Sequence, residues 1–320
     1  MEANKEISLI VVRGSTFDLT RLDFSFASYQ FVPINSLLIE EYLGFTSGRT
    51  SKYLERIRSE TAIGRWEPSK AAYAILPIDS NNVSNSRALR CLWLLTIVYP
   101  SDIYRAYDIR LWQHSPDHLI DTMLVAHDDY SSFNPLDIAE DRLDELHEFV
   151  QLAFDRVGND GFASQIIDLY LQSRQSSLVY HKFLSLMMAM ETILSGTSEI
   201  VYRLRRAVAV ILGRTLENSA IFFQMVNHMY GLRSKIVHGE KFDRDELNYY
   251  LPTLEKLISR LIIELLIHNI EKKETVGDIV TRLGFGDYKK ISEGHKEFIL
   301  NDDTYSLFDL TSYSKYSKAK

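Results

Sequence analysis

Residues 218–239 read NSAIFFQMVNHMYGLRSKIVHG, and this stretch decides the fold of the second half of the chain. Phe222 and Val226 lie four residues apart, and the apolar positions around them keep a helical period. Asn218 is of a type that caps helix N-termini, and Gly239 is of the type that ends helices. The pattern predicts one long amphipathic helix between these two residues.

The same helical period continues on both sides of this stretch and predicts further helices joined by short loops. The predicted segments are Ile166–Gln172 continuing through Ser177–Leu194, then 199–213, then 243–270. Pro252 is expected in the first turns of the last helix or at a kink in it. Because long helices with short loops form bundles, residues 162–275 are predicted to be a helical bundle, followed at 276–320 by a short helix and a disordered tail.

The first half has a different pattern, in which β-branched and aromatic runs alternate with helical segments. The predicted strands are 7–12, 24–32 and 71–78, and the predicted helices are 37–43, 51–59, 87–98 and 137–155. The clearest break in the chain is Gly158-Asn159-Asp160-Gly161. We therefore expect a mixed α+β domain over residues 1–157, whose role is unknown with a sensory or regulatory role open, and a chain that is mainly α overall.

Charge and composition place limits on partners and location. The net charge of −7 is uneven, because residues 163–272 carry 13 basic and 11 acidic side chains while the rest carries 23 and 32. If the chain has a phosphate-binding surface, it is expected in the C-terminal half, although a net charge of +2 over those residues is close to neutral. The single cysteine, Cys91, excludes an internal disulfide and a cysteine-based zinc site, and its apolar neighbours predict burial.

The chain shows no sign of membrane insertion at the level of sequence. No apolar run reaches the ~18 residues that suggest a membrane span. The first residues, Met-Glu-Ala-Asn-Lys-Glu, lack the layout of a signal peptide. We therefore expect a soluble, cytoplasmic protein that contacts no membrane.

Arg233 and His238 lie near the end of the predicted helix, and they are the residue types needed to cut RNA. Arginine neutralises phosphate, and histidine moves protons near neutral pH. On a 100° helical wheel Arg233 lies within the apolar stripe, and His238 lies about 140° away with Asn227 and Ser234. Either the helix unwinds at Gly239, or a second chain completes the site across a two-fold axis. Alternatively, Arg233 extends its charged head to water and His238 binds the last helix carbonyls.

Glu191 lies in a predicted helix that is apolar on nearly all sides, so its carboxylate is expected to be partly buried. A buried carboxylate needs a cation. The candidate cations are Arg203, Arg205, Arg206 and Arg233. The resulting ion pair either orients helices or takes part in catalysis, and the sequence leaves both roles open.

Three ordered blocks of the second half together resemble a known family. They are MAMETIL at 188–194, EIVYRLRRAVAVILG at 199–213 and YGLRSKIVHG at 230–239. These blocks look like the HEPN superfamily, specifically its ApeA-like branch, over roughly residues 163–270. The resemblance implies a helical bundle that forms a homodimer, with two Arg-x4-His motifs facing each other at the interface of a metal-independent endoribonuclease.

The resemblance also implies roles for individual residues. Arg233 and His238 match the catalytic arginine and histidine, and Glu191 matches the acidic position of the preceding block. The substrate-binding residues predicted around them are Ser234, Lys235 and Asn227. RNA would be cut through attack by its own 2′-OH, leaving 2′,3′-cyclic phosphate ends, without a metal or another cofactor. An antiviral defence or toxin role is implied as well, with an antitoxin or an unknown trigger bound by the N-terminal domain.

Other functions remain open from the sequence. One is a non-catalytic HEPN-like module for dimerisation or protein interaction. Ser234 favours it, because the family often has Asn, Asp or His there, whereas the intact Arg–His pair favours the enzyme. An RNA binder that does not cut is disfavoured by the modest charge and the lack of a basic–aromatic stripe. A metal site at His114 and His118 is disfavoured because Pro116 interrupts the helical ligand spacing, and one at His127 because no further His–Asp array of the right kind follows.

Overall fold

The computed structural model describes residues 5–43, 48–63, 71–78, 85–101, 103–115, 118–126, 135–157, 162–194, 199–296 and 298. The chain divides into two compact units, Met1–Thr96 with Ser101–Phe154, and Ile97–Pro100 with Asp155–Lys320. Within the described ranges the first unit carries a small antiparallel sheet and the second is helical. The prediction of a mainly α chain, with an α+β part followed by helices, is confirmed at this level.

The first unit is built on an antiparallel sheet. Its strands are β1 Lys5–Arg13, β2 Tyr29–Pro33, β3 Tyr73–Pro77, β4 Tyr104–Ser115 and β5 His118–Ala126, in the order β2-β3-β1-β4-β5. The helices along this part of the chain are α1 Leu37–Leu43, α2 Gly48–Ile63, α3 Asn85–Val98 and α4 Leu143–Val157. Ile39 of α1 and Ile57 of α2 share a core with Leu9 of β1. Ile10, on the opposite face of β1, is buried as well, so this strand is covered on both sides.

The second unit consists of helices packed around a buried one. They are α5 Phe162–Arg174, α6 Val179–Glu191, α7 Ile200–Leu212, α8 Leu216–Val237, α9 Arg244–Ile267, α10 Lys273–Arg282 and α11 Tyr288–Ile291. Helices α5 and α6 pack as one hairpin and α7 and α8 as another, while α9 packs against α5, α6 and α7. Every residue of α9 from Leu257 to Ile267 is buried, which makes this helix the centre of the unit.

Buried ionic groups on α9 hold the C-terminal segment against the bundle. Arg260 pairs with Glu264. The Tyr288 hydroxyl donates to Glu264 Oε2 at 2.9 Å, and His268 Nε2 lies 2.9 Å from the same oxygen. Arg260 also donates from Nη2 to the carbonyl of Phe298 at 3.1 Å. Burial raises the pKa of the Glu264 carboxyl, but Arg260, His268 and Tyr288 outweigh it and hold that pKa below its ordinary value.

Two predicted features of the bundle are wrong for local reasons. The continuous helix predicted over 166–194 is interrupted between α5 and α6, where the Leu178 N–H donates to Ser176 Oγ at 3.2 Å. A serine side chain offers the backbone this alternative to helical bonding. The cap of α8 is Thr215 rather than Asn218, because the Thr215 hydroxyl accepts from the Asn218 N–H at 3.1 Å.

Other boundaries shift without changing the architecture. Strands β4 and β5 were not predicted, and residues 25–27 form a 3-10 turn where a strand was predicted, so β2 begins at Tyr29. The helix predicted from 137 begins at Leu143. Pro252 lies within α9 as its ninth residue. The predicted break at 158–161 and tail beyond 302 lie outside the described residues.

Cys91 is buried, as predicted, and burial raises the pKa of its thiol to about 12. A thiol with so high a pKa stays protonated at neutral pH, and a thiol is a poor nucleophile. Among the helices that the structure describes, none is long and apolar enough to cross a membrane.

Candidate active site

Arg233 and Glu191 form an ion pair that joins α8 to α6. Nη2 of Arg233 donates to Oε2 of Glu191 at 3.3 Å, and Nε lies 3.1 Å from Oε1 at an angle outside that of a hydrogen bond. The side chains are 25% and 17% exposed, so the pair lies at the edge of the bundle. The partly buried carboxylate predicted at Glu191 is confirmed, and among the candidate cations Arg233 is the one that contacts it.

Two of the other candidate arginines serve the packing of the bundle instead. Arg205 donates from Nε to the carbonyl of Phe223 at 3.0 Å. Arg206 donates to the carbonyls of Val280 at 3.0 Å and Leu283 at 2.9 Å. These bonds satisfy carbonyls at the end of α10, which the helix itself cannot pair.

Tyr230 holds the guanidinium of Arg233 from a second side. The Cζ atom of Arg233 lies 5.5 Å from the centroid of the Tyr230 ring, one turn earlier on the same helix. Glu191 takes the Nε–Nη2 edge of the guanidinium, so the Nη1 edge is not engaged by Glu191. A planar guanidinium oriented in this way can donate hydrogen bonds from its Nη1 edge to a phosphate. Tyr230 was not among the residues predicted from the sequence, although its spacing of three residues from Arg233 was a usable signal.

His238 is the residue at which α8 ends. Its φ of −87° is close to helical, and the left-handed turn follows at Gly239, with φ +69°. The Glu240 N–H donates to the Lys235 carbonyl at 2.8 Å, which closes the helix end as a Schellman motif. The chain therefore unwinds only after His238, and the histidine keeps its direction about 140° from Arg233. Unwinding at Gly239 does not bring the two groups together within one chain.

The predicted substrate-binding residues surround this helix end. Asn227 and His238 are exposed, while Ser234 and Lys235 are partly buried. On the helical wheel Asn227, Ser234 and His238 lie within about 40° of one another, and Lys235 lies about 60° from His238. The structure thus places three of these polar side chains on one face of α8 and the Arg233–Glu191 pair beside it.

Metal ligands are not clustered in the part of the chain that the structure describes. No group of three or more His, Cys, Asp or Glu side chains there could hold a metal ion. His114 and His118 lie in β4 and β5 rather than on a helix, and His127 lies outside the described residues.

Comparisons with protein-family models, with curated proteins and with solved structures found no match to this chain. The likeness to HEPN proteins therefore rests on the three sequence blocks alone.

Proposed function

We propose that the chain is a metal-independent endoribonuclease of the HEPN type, with Arg233 and His238 carrying the chemistry. The observation that supports it is the arrangement at the end of α8. A partly exposed guanidinium is fixed by Glu191 and Tyr230, and an exposed histidine follows little more than one turn later. These are the two side-chain types that transesterification of RNA requires.

The proposed reaction uses the nucleophile that RNA already carries. A neutral His238 imidazole takes the proton of the 2′-OH, the 2′-oxygen bonds to phosphorus, and the 5′-oxygen leaves with a proton. Arg233 donates from its Nη1 edge to the non-bridging oxygens, where negative charge accumulates. The products are a 2′,3′-cyclic phosphate and a 5′-hydroxyl. Glu191 acts through Arg233, by fixing the plane of the guanidinium.

Two chains are needed to complete the proposed site. Because Arg233 and His238 point about 140° apart on one helix, a single chain does not aim both at one phosphate. Two copies related by a two-fold axis would bring the arginine of one chain towards the histidine of the other. In each facing pair the histidine takes the proton of the 2′-OH and then gives it to the leaving 5′-oxygen.

The test is cleavage of a labelled structured RNA by the full chain in excess EDTA. Wild type is compared with His238→Ala, Arg233→Ala and, as a matched control, Arg282→Ala, an arginine that is 77% exposed. Wild type and the control should cut, whereas the other two variants should lose at least about 100-fold in rate. Undiminished cleavage by His238→Ala, or cleavage that EDTA abolishes, would contradict the proposal.

A second candidate function is a non-catalytic HEPN-like module for dimerisation or protein interaction. The Arg233–Glu191 pair favours it, because an ion pair that joins two helices also has a structural use. Met188 and Val237, one turn from each partner of this pair, are 51% and 50% exposed, as at surfaces that bind proteins. Such a module would form dimers, measurable by sedimentation, and leave RNA intact.

A further inference from the structure

The α7–α8 hairpin carries a cluster of aromatic rings apart from the Arg233 site. The Tyr202 ring lies edge-on to Phe223, with centroids 5.9 Å apart, and Phe285 lies 5.5 Å from Phe223. The guanidinium of Arg205 covers Phe223, with Cζ 3.8 Å from the ring centroid. Phe223 is thus enclosed by its neighbours, whereas Tyr202 is 52% exposed.

The rings behind Tyr202 are held in position by the backbone. The Gly286 N–H, next to Phe285, donates to Ser219 Oγ of α8 at 3.1 Å. Gly286 has φ +81°, and a Cβ at this position would lie 2.9 Å from the Leu216 nitrogen. Because only glycine fits this approach, the turn packs tightly on α8. The cluster therefore supports an exposed Tyr202 ring on a fixed base.

An open depression lies beside the exposed ring. Its volume is about 540 Å³, and it is lined by Glu199, Ile200, Val201 and Tyr202. The Glu199 carboxylate at its rim repels phosphate, so the depression suits a flat, uncharged ring rather than a charged backbone.

Charge favours a polyanion on this hairpin. Residues 199–240 carry six basic and three acidic side chains, and Glu191 offsets one of the basic ones, Arg233, which leaves a net charge of +2 in a chain whose total is −7. Phe223, Asn227, Tyr230 and Ser234 lie within a sector of about 60° along α8. From Phe223 to Ser234 this face extends for about 16 Å at 1.5 Å per residue, and Arg233 lies beside its end. It connects the aromatic cluster with the proposed catalytic residues.

We propose that Tyr202 is the stacking platform for an unpaired base of single-stranded RNA whose backbone follows this face of α8 towards Arg233. Stacking on an aromatic ring holds any base, because every base has a flat π-face. The inference rests on the proposed ribonuclease function for the identity of the nucleic acid. It adds that the substrate is a single-stranded segment, held by a base some distance from the scissile phosphate.

The test measures binding rather than cleavage. Fluorescein-labelled, fully 2′-O-methylated single-stranded RNA, which lacks the attacking hydroxyl, is titrated with the full chain in EDTA and followed by anisotropy. Tyr202→Ala should raise Kd roughly 5- to 150-fold, the range that alanine substitution of stacking residues gives. Tyr202→Trp should bind like wild type, and so should Tyr180→Ala, an exposed tyrosine on α6.

An abasic probe provides a measurement that does not depend on a variant. Removing one base after another from the oligonucleotide should find a position at which wild type loses affinity and Tyr202→Ala loses nothing further. If Tyr202→Ala binds like wild type, or if a duplex of the same sequence binds as well as the single strand, the platform is overturned. If Tyr202→Ala loses binding while wild type fails to cut RNA, the platform stands and the nuclease proposal fails.

Discussion

Nη2 of Arg233 donates to Oε2 of Glu191 across 3.3 Å, although the two residues lie 42 positions apart in sequence. This bond joins the ends of two helices. Glu191 is the last residue of α6, and Arg233 lies in the last turns of α8, just ahead of His238. The pair thus fixes the orientation of the guanidinium and ties the last turns of α8 to the end of α6. A change in either residue is expected to affect stability as well as the proposed chemistry.

Removing either partner of this pair should destabilise the second unit moderately. The side chains are 25% and 17% exposed, so the cost lies between that of a surface pair and that of a buried one, about 1–2 kcal/mol. Glu191→Ala, Arg233→Ala and the double variant, unfolded in urea, give the coupling energy. Arg282→Ala and Asp278→Ala remove an exposed pair and should change the free energy of unfolding by less than ~0.5 kcal/mol. A coupling energy no larger than in that control would mean that the pair adds nothing to stability.

Glu264→Gln should destabilise the protein strongly, because it leaves the buried Arg260 without its counter-charge. Breaking a buried pair costs about 3–5 kcal/mol. Glu274→Gln, an exposed glutamate on α10, should cost less than ~0.5 kcal/mol. Equal effects of the two substitutions in chemical denaturation would refute the role assigned to Glu264.

The effect of Glu264 should also depend on pH in a defined direction. The folded protein holds the pKa of this carboxyl below its ordinary value of 4.5, so its stabilising contribution is complete above that value. As the pH falls below 4.5 and through the lowered pKa, the contribution is lost. The difference in unfolding free energy between wild type and Glu264→Gln should therefore be constant from pH 7 to 5 and shrink in more acidic solution. If the difference in unfolding free energy grew on acidification instead, the pKa of Glu264 would not be lowered in the folded protein.

Two glycines, Gly231 inside α8 and Gly239 just after its end, should respond in opposite ways to alanine. Gly239 has φ +69°, where a side chain costs about 1–2 kcal/mol, so Gly239→Ala should lower the free energy of unfolding by about that amount. Gly231 lies inside the helix with open space around it, so Gly231→Ala should raise it by about 0.5–1 kcal/mol. Open space surrounds a Cβ at both positions, which leaves backbone conformation as the cause. Thermal melts of the two variants, which should shift in opposite directions, check this.

Complementation should reveal whether two chains build one site. Arg233→Ala and His238→Ala are each inactive under the proposed mechanism, but a mixed dimer retains one intact arginine and one intact histidine in facing positions. Mixing equal amounts, with exchange of subunits, should restore up to about a quarter of wild-type cleavage. Dimers that exchange subunits and still do not cut would show that the two groups act within one chain.

The sequence predicted those parts of the fold that depend on periodic apolar residues. Helix α1 was predicted with its exact bounds, and α7, α8 and α9 within a few residues, since their buried stripes repeat every three to four positions. The break between α5 and α6 depends on one serine hydroxyl, which periodicity does not reveal. Strand β4 was missed because charged residues such as Arg105 and Asp108, which pair with each other, interrupt the apolar alternation.

The candidate site could be predicted only in part, because some of its contacts join residues that are far apart in sequence. Partial burial of Glu191 and its need for a cation followed from the apolar helix around it. The ring cluster of Tyr202, Phe223 and Phe285 did not, because it joins three segments that meet only when α7, α8 and the turn after α10 pack together. No local pattern records such a contact between residues far apart in sequence.

Cleavage of an RNA that carries a single 2′-deoxy nucleotide, in excess EDTA, is the most direct test of the proposed chemistry. The deoxy nucleotide is placed on the 5′ side of a mapped cleavage position, and the other cleavage positions in the same molecule serve as the control. We predict that cleavage stops at the modified position alone, and that all remaining cuts leave 2′,3′-cyclic phosphate and 5′-hydroxyl ends. Cleavage at the deoxy position, or fragments that end in 3′-hydroxyl and 5′-phosphate, would contradict attack by the 2′-OH and the roles proposed for Arg233 and His238.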